Sequence, residues 1–398
     1  MRVLLVGNES ALFETVVAMA LARDGATVVR GYAAGGQCLH SRHYHEYLEH
    51  PPLGCDAFGR FILGHARRDG GTVILPLSDE ALAALQAVRP ELDGLAPVAA
   101  APVEATEIAL DKFRTAEAAR RVENSLYVPE ILLAESADDA VARWSGSFPV
   151  LVKPRAASGS RGIRLARDRE ELRAVYALVA ATYDRPLVQK AVRFRIDRKF
   201  QLNYVFDRSG TLRSWYGHRI IAQNTSLGLG AGREKTAGGV ALLWESMYDE
   251  DLLKRGSRLM QALGWRGVGV VEGAFDESDG RPYLFEINAR ICSTQNLSLC
   301  RDVNVALDAC RVALGQAPTE KLRFQEGVRA KLDPFRLLRS RLPEVIVRIP
   351  DPRFVSGLTG PTDPRPIAEA AWLTFLKLLA AVRRRTLSVR ASDRPAAV

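Results

Sequence analysis

The sequence predicts an α/β protein of two or three units, and three observations carry that reading. A strand, helix and strand in residues 3–30 open a longer alternation of the two element types. From residue 200 the segments alternate polar and apolar positions, as antiparallel strands with one covered face do. The 398 residues also exceed what one hydrophobic core organises.

Residues 3–7 read as an apolar strand, 11–23 as a helix with apolar spacing, and 27–30 as a second strand. The turn "GNES" lacks the GxGxxG of a dinucleotide site, which argues against nicotinamide or flavin chemistry. A helix over about 57–68, a strand in "TVILPLSDE" and a helix in "ALAALQAV" extend the layer. Proline and alanine thicken in "GLAPVAAAPVEAT", the expected seam after a first unit of residues 1–105. A helix containing "LDKFRTAEAARR", the strand "PVLVKP", the loop "RAASGSRGIR", the helix "DREELRAVYALVAATY" and the strand "PLVQKAV" fill 106–190. In 191–318 the strands "KFQLNYVFD" and "LRSWYGHRII", a helix over 249–263 and the strands "GVGVVEGAFD" and "RPYLFEINAR" follow. Residues 319–398 form an extension with an amphipathic, basic-ended helix in "DPRPIAEAAWLTFLKLLAAVRRRTL", expected to pack on its own protein in preference to a membrane surface.

Composition narrows the class without choosing a partner. With 47% apolar and 25% charged residues the chain reads as soluble and globular, and its charge of +9 suits nucleic acid, an anionic surface or an anionic metabolite alike. Five cysteines, an odd number without CxxC spacing, read as reduced thiols of a cytoplasmic protein. The start reads as a strand rather than a signal peptide, and no window approaches the roughly 20 apolar residues of a membrane span.

Three constellations carry chemistry. In "PVLVKPRAASGSRGIRLA" a buried strand ends on Lys153, and the small loop Ser158, Gly159, Ser160, Arg161, Gly162 lets backbone N–H groups approach phosphate oxygens. GxxxxGK[ST] is absent, so a nucleotide site here belongs to another fold than the Walker type. In "RPYLFEINAR" strand alternation sends Phe285, Ile287 and Ala289 to one face and Glu286, Asn288 and Arg290 to the other. Glu272, Glu286 and Asn288 offer the oxygens a hard cation takes. Glu272 faces Glu286 across a hairpin with an odd loop, such as five residues over 277–281, whereas a two-residue turn at Asp279 and Gly280 opposes them unless a bulge intervenes. Arg290, one step further, presents a planar fork for a phosphate, carboxylate or developing oxyanion.

Together, Lys112, Lys153 with its loop, "LVQKAV", Glu272 and "EINAR" resemble the ATP-grasp superfamily over about 106–315, and "ILPLSDEAL" with "ALDKFRTAEAAR" is similar to the preceding domain of its carboxylate-amine ligase branch. The resemblance implies a Rossmann-like pre-ATP-grasp domain, then the ATP-grasp fold, then a helical extension. It implies ATP and Mg²⁺ (Mn²⁺ as a substitute) as cofactors, with Lys112 and Lys153 on the ATP phosphates and the 158–162 loop closing over them. Gln189, Lys190 and Val192 would form the adenine hinge, Glu272, Glu286 and Asn288 would hold metal, and Arg290 would stabilise acyl-phosphate oxygens. Arg219 in "GHRII" would place a second arginine near the reacting carboxylate. The implied reaction joins a small carboxylate to an amine through an acyl phosphate, with a homodimer left open as the assembly.

Two departures stand out. Gln189 replaces a common hinge glutamate, and Lys199 stands where an acidic residue or histidine usually meets ribose. The glycine-rich 224–240 segment is expected to form a flap, with Arg233 and Lys235 toward substrate. His40, His43, His45 and His50 between Cys38 and Cys55 fit no zinc-finger spacing and are expected in a polar loop by the substrate cleft. Cys292, Cys300 and Cys310 are expected to be buried in following helices rather than catalytic. A phosphotransferase and a non-catalytic ATP-binding module are the competing readings; nucleic-acid binding ranks below them because no aromatic-basic motif appears.

Overall fold

The computed structural model describes residues 1–7, 11–35, 40–157, 159–224, 240–292, 294, 303–331 and 354–356. The expected flap, Ser158, Cys38, Cys300 and the basic C-terminal helix lie outside them. Among the described residues no helix is long and apolar enough to cross a membrane.

The first unit is a parallel sheet in the order β3-β2-β1-β4, from β1 (Arg2–Val6), β2 (Thr27–Ala33), β3 (Glu46–His50) and β4 (Thr72–Pro76). In β1, Val3 and Leu5 enter one core while Leu4 and Val6 enter another, so both faces are covered. Helices α1 (Ala11–Arg23) and α2 (Asp56–Arg68) supply covering side chains to these cores. After β4 come α3 (Asp79–Gln86), capped by the Ser78 hydroxyl accepting from Ala81 N, and α4 (Arg89–Leu92). The order reverses between β1 and β4, which leaves a crevice beyond Gly7 and Leu77 of the kind where doubly wound sheets bind ligands. Of the histidine-rich segment, His40, His43 and His45 lie in the irregular stretch before edge strand β3, whereas His50 ends that strand instead of lying in a loop. His45 Nδ1 accepts from Val28 N (3.0 Å), and His50 packs edge-on against Phe58.

Next, α5 (Val103–Leu110) and α6 (Lys112–Arg120) meet at Asp111, which ends one helix and caps the other by accepting from Phe113 N and Arg114 N. The expected boundary at 105/106 falls inside α5, whose Ala105 and Ala109 pack into the core of the large sheet. A four-stranded antiparallel sheet, β5 (Ile131–Leu133), β6 (Val150–Lys153), β7 (Arg164–Ala166) and β8 (Leu187–Lys190), runs in the order β5-β8-β6-β7. Helices α7 (Ala137–Arg143) and α8 (Arg169–Ala180) cover it.

The large sheet has the order β13-β12-β9-β10-β11-β14-β15. Its strands are β9 (Lys199–Phe206), β10 (Leu212–Asn224), β11 (Val240–Met247), β12 (Gly267–Phe275), β13 (Pro282–Asn288), β14 (Arg329–Lys331) and β15 (Phe354–Ser356). One face buries Phe200, Leu202, Tyr204 and Trp215 against α9 (Glu250–Ala262), α5 and α6. The other buries Val205, Tyr216 and Val268 against the first unit and α10 (Val305–Ala313). Within 319–398 the described part adds strands β14 and β15 to this sheet.

Candidate active site

The site grows from the β12-β13 hairpin. Phe275 pairs with Pro282, so the loop 276–281 has six residues and not the odd number the sequence suggested. Asp276 organises it, accepting from Gly280 N at its carbonyl and from Ser278 N and Arg193 N at its carboxylate. Six residues alone would send Glu272 and Glu286 to opposite faces, but the register shifts between Glu272 and Gly273, and Phe285 is the extra residue. Gly273 makes the bulge feasible, because a Cβ there would lie 2.2 Å from Tyr283 O. The bulge corrects the expected facing: Leu284, Ile287 and Ala289 enter the core, whereas Phe285 lines the cleft beside Glu286 and meets the Phe194 ring (centroids 5.4 Å).

Glu286, Glu272, Gln201 and His218 are successive cross-strand partners on β13, β12, β9 and β10, so their side chains leave the same face of the sheet. Glu272 Oε1 accepts from Gln201 Nε2 and from Asn288 Nδ2 (3.1 Å), while Lys199 Nζ lies 3.6 Å from Oε2. From the first turn of α6 Lys112 Nζ reaches Glu286 Oε2 at 3.1 Å and donates to Ala157 O at 2.7 Å. Lys153, 5% exposed, closes the group.

Electrostatics follow from that crowding. Burial lowers the Lys153 ammonium to about 7, with Lys112 adding to the shift and Glu286 opposing it. Burial pushes the Glu272 carboxyl up, with Lys199 opposing and Glu286 adding. At Glu286 burial acts in the same upward sense, but Lys112 first, then Lys153 and Lys199, hold the carboxyl below its ordinary value. Two carboxylates and an amide side chain on one face suit a hard divalent cation, and the ammonium groups around them suit a polyphosphate bridging to it.

Three interactions of the second rank hold the lysines in place. Lys112 N donates to Arg155 O, and Arg155 in turn pairs with Asp111 through Nε (3.1 Å) and Nη2, which locks the start of α6 to the strand end carrying Lys153. The loop after it uses left-handed backbone at Gly159 (φ 63°), Ser160 (φ 60°) and Gly162 (φ 75°). At Gly162 a Cβ would also strike Tyr183 Cε2 at 2.5 Å. Ser160 and Arg161 border the cleft, and Leu151, Ile163 and Val192 give it an apolar end beside buried Gln189. Lys190 takes part through its backbone, with N donating to Glu130 O, while its side chain faces solvent.

Arg290 lies two residues past Asn288, 9% exposed at its side chain, and donates from Nε to Asp79 Oδ1 at 2.7 Å. Arg219 does not join the group. Its register partners are Phe200 and Glu245, one step out of phase with the carboxylate row, so it leaves the opposite face and pairs with Glu245, which also takes Arg329. A larger cavity of about 490 Å³, lined in part by residues 93–100 with Arg208 and Arg266, contains none of the carboxylate row and lies apart from this chemistry. Sequence reasoning did not single out Gln201, Phe194, Phe285, Asp111, Arg155 or Asp79 for the site. The period-two polar positions Lys199, Gln201 and Asn203 on β9 were the available signal for the second wall.

Residues 111–193 match the family model described as the ATP binding domain of the carbamoyl-phosphate synthase L chain. A curated relative, biotin carboxylase 1 of Bacillus subtilis, is 25% identical over 195 residues, covering 46% of this chain; the match spans 41% of that relative's length. Among solved structures, the biotin carboxylase domain of Hydrogenobacter thermophilus 2-oxoglutarate carboxylase, determined as a dimer with MgADP, ADP and bicarbonate, superposes with a TM-score of 0.65 at 19% identity, covering 82% of this chain and 73% of that one. The L-amino acid ligase of Bacillus licheniformis gives 0.59 at 16% identity, covering 80% and 75%. These likenesses show the ATP-grasp fold, with its α/β first unit ahead of it.

Proposed function

We propose that this chain is an ATP- and Mg²⁺-dependent ligase that activates a small carboxylate as an acyl phosphate and passes the acyl group to an amine. The observation that carries the reading is the direct pairing of Glu272 with Glu286, flanked by Asn288 and faced by Lys112 and Lys153. In this reading Lys112, Lys153 and backbone groups of the Gly159, Ser160 and Gly162 loop, with Ser158, bind the ATP phosphates. The base enters the apolar end by Gln189, Lys190 and Val192, against Phe285. Glu272, Glu286 and Asn288 hold Mg²⁺, which when bound neutralises charge on the transferred phosphoryl group.

The carboxylate substrate lies by the crevice between β1 and β4, where Arg290 meets Asp79, and one carboxylate oxygen attacks the γ-phosphorus as ADP leaves. An amine then attacks the acyl carbon, Arg290 stabilises the tetrahedral oxyanion, and phosphate departs with formation of the C–N bond. The loop after β6 excludes water, which would otherwise hydrolyse the acyl phosphate. The biotin carboxylase and L-amino acid ligase likenesses support a carboxylate or bicarbonate as the activated acid and a nitrogen nucleophile as acceptor. A cytoplasmic site of action and a homodimer belong to the same proposal.

The test is Mg²⁺-dependent release of ADP and phosphate across a panel of carboxylic acids and bicarbonate, with and without amines, beside Glu286→Ala. ADP that requires both acid and amine and vanishes in the variant supports the ligase. ADP with one acceptor and a stable phosphorylated product identifies a phosphotransferase instead. Tight Mg-ATP binding with no turnover favours a binding module, and no binding of ATP refutes the assignment.

A further inference from the structure

We propose that Asp79, in the first unit, is the positioning residue for Arg290, so that the helix beyond β4 completes the catalytic wall of the large sheet. This rests on the ligase reading for its kinetic consequence, though its geometric content stands apart from it.

Arg290 lies in the bend two residues past the end of β13 at Asn288, and Asp79 accepts from its Nε at 2.7 Å across 211 residues of chain. Donation from Nε fixes the edge of the guanidinium, and with it the plane in which the Nη groups lie. The arginine side chain is 9% exposed and the aspartate 26%, so this tie is far less screened than an ordinary surface pair. Asp79 cannot drift readily either. It occupies the first turn of α3, whose N-terminus is closed by Ser78 accepting from Ala81 N at 3.0 Å, and Ser78 is itself fully buried. The adjacent Glu80 reaches the other working part, pairing with Arg161 of the phosphate loop at 2.9 Å. That second pair is open to water, at 62% and 44% exposure, and so contributes little by itself. Two consecutive acids thus touch the arginine and the loop, but only the Asp79 contact is buried enough to set an orientation.

An ordinary fold-stabilising ion pair would show a different pattern on substitution. Removing the carboxylate charge while keeping the shape leaves Arg290 present but unaimed. The cost then falls on the chemical step rather than on nucleotide binding. Asp79→Asn and Asp79→Glu are made in the full chain and compared with wild type by kcat, KM, Mg-ATP affinity by calorimetry, thermal midpoint, and the Arg290 Nε–H signal in ¹⁵N-edited NMR, assigned by its loss in Arg290→Lys. The expected result for Asp79→Asn is a kcat lower by about tenfold or more, Mg-ATP affinity changed by less than about twofold, and a displaced or exchange-broadened Nε–H signal; Asp79→Glu restores part of each. An unchanged Nε–H signal in Asp79→Asn overturns the proposal. So does a joint loss of kcat, Mg-ATP affinity and thermal midpoint that Asp79→Glu fails to relieve, which marks a structural pair. If wild type shows no ADP formation dependent on acid and amine, the ligase reading fails, and the NMR comparison still decides whether Asp79 orients Arg290.

Discussion

Glu272 and Glu286 face each other on one sheet face, and the asymmetry of their surroundings divides their roles. Glu286 is held ionised by Lys112, whereas burial keeps the Glu272 carboxyl protonated to higher pH. Glu286→Gln should therefore lower Mg²⁺-dependent ADP formation by about a hundredfold or more, with near-ultraviolet circular dichroism unchanged. His218 gives a separate test on the same row. Both ring nitrogens are buried and have no hydrogen-bond partner among the described residues, and burial first, then Lys199, lowers its pKa to about 3. The unfolded chain takes up this proton near 6.5 and the folded chain only near 3, so stability contributed by the neutral ring is complete above 6.5 and falls as pH drops through that window. Between pH 7 and 5 the group accounts for about 2 kcal/mol of lost stability, and chemical denaturation of His218→Leu over that interval should show a correspondingly smaller loss than wild type. At this scale Glu286, Asn288, Glu272 and Lys153 were legible because strand period and strand-end position are local properties. Arg219 and Phe285 were misplaced because facing depends on register and bulges, which no local pattern reveals. Asp79 and Arg155 escaped because their partners lie 211 and 44 residues away.

The loop after β6 and the β12-β13 hairpin show why individual elements had to depart from regular geometry. Gly159 and Gly162 both adopt positive φ, yet their surroundings differ: a Cβ at Gly159 meets nothing within 4 Å, whereas one at Gly162 meets Tyr183 at 2.5 Å and Pro154 at 2.7 Å. Gly159→Ala should pay only the backbone strain, about 1 kcal/mol, and weaken Mg-ATP binding by less than tenfold. Gly162→Ala must also shift the loop away from Lys153, and calorimetry should show a loss well beyond tenfold. The bulge places an aromatic ring against the cleft without disturbing the glutamate pair. Phe285→Ala should accordingly weaken Mg-ATP binding by about tenfold while leaving Mg²⁺ dependence intact, since a base stacked on an aromatic ring is worth about 1–3 kcal/mol. Many of the described elements up to β13 were legible, because buried parallel strands, amphipathic helices and alternating strands each leave a period, but the short or edge elements β3, β5, β7, β11, α4 and α7 were not. The break at Asp111 was not, since the carboxylate that caps α6 is also held by Arg155, 44 residues further on in the loop after β6.

The cores divide the whole molecule differently from the sheets. One cluster mixes Val3, Leu5, Leu75 and Leu77 of the first unit with Val205, Tyr216 and Val268 of the large sheet, so those two layers share a hydrophobic seam. The small sheet instead closes its own cluster, from Leu132 to Val188, with no member from either neighbour. Buried apolar area across a seam resists relative motion, while units that bury their surfaces internally move at lower cost. The polar contacts Arg155 with Asp111 and Arg161 with Glu80 reach across the cleft from the loop after β6 to the rest of the molecule. Closure on Mg-ATP should thus take the form of the small sheet moving as a body toward β12 and β13. Hydrogen exchange tests this directly. Mg-ATP should slow exchange in residues 155–163 and along β13 while leaving protection at β1, β4 and the facing part of β10 unchanged. Equal slowing across the seam between the first unit and the large sheet would mean that the whole chain tightens as one body, and the shared core would then not be the rigid base from which the small sheet closes.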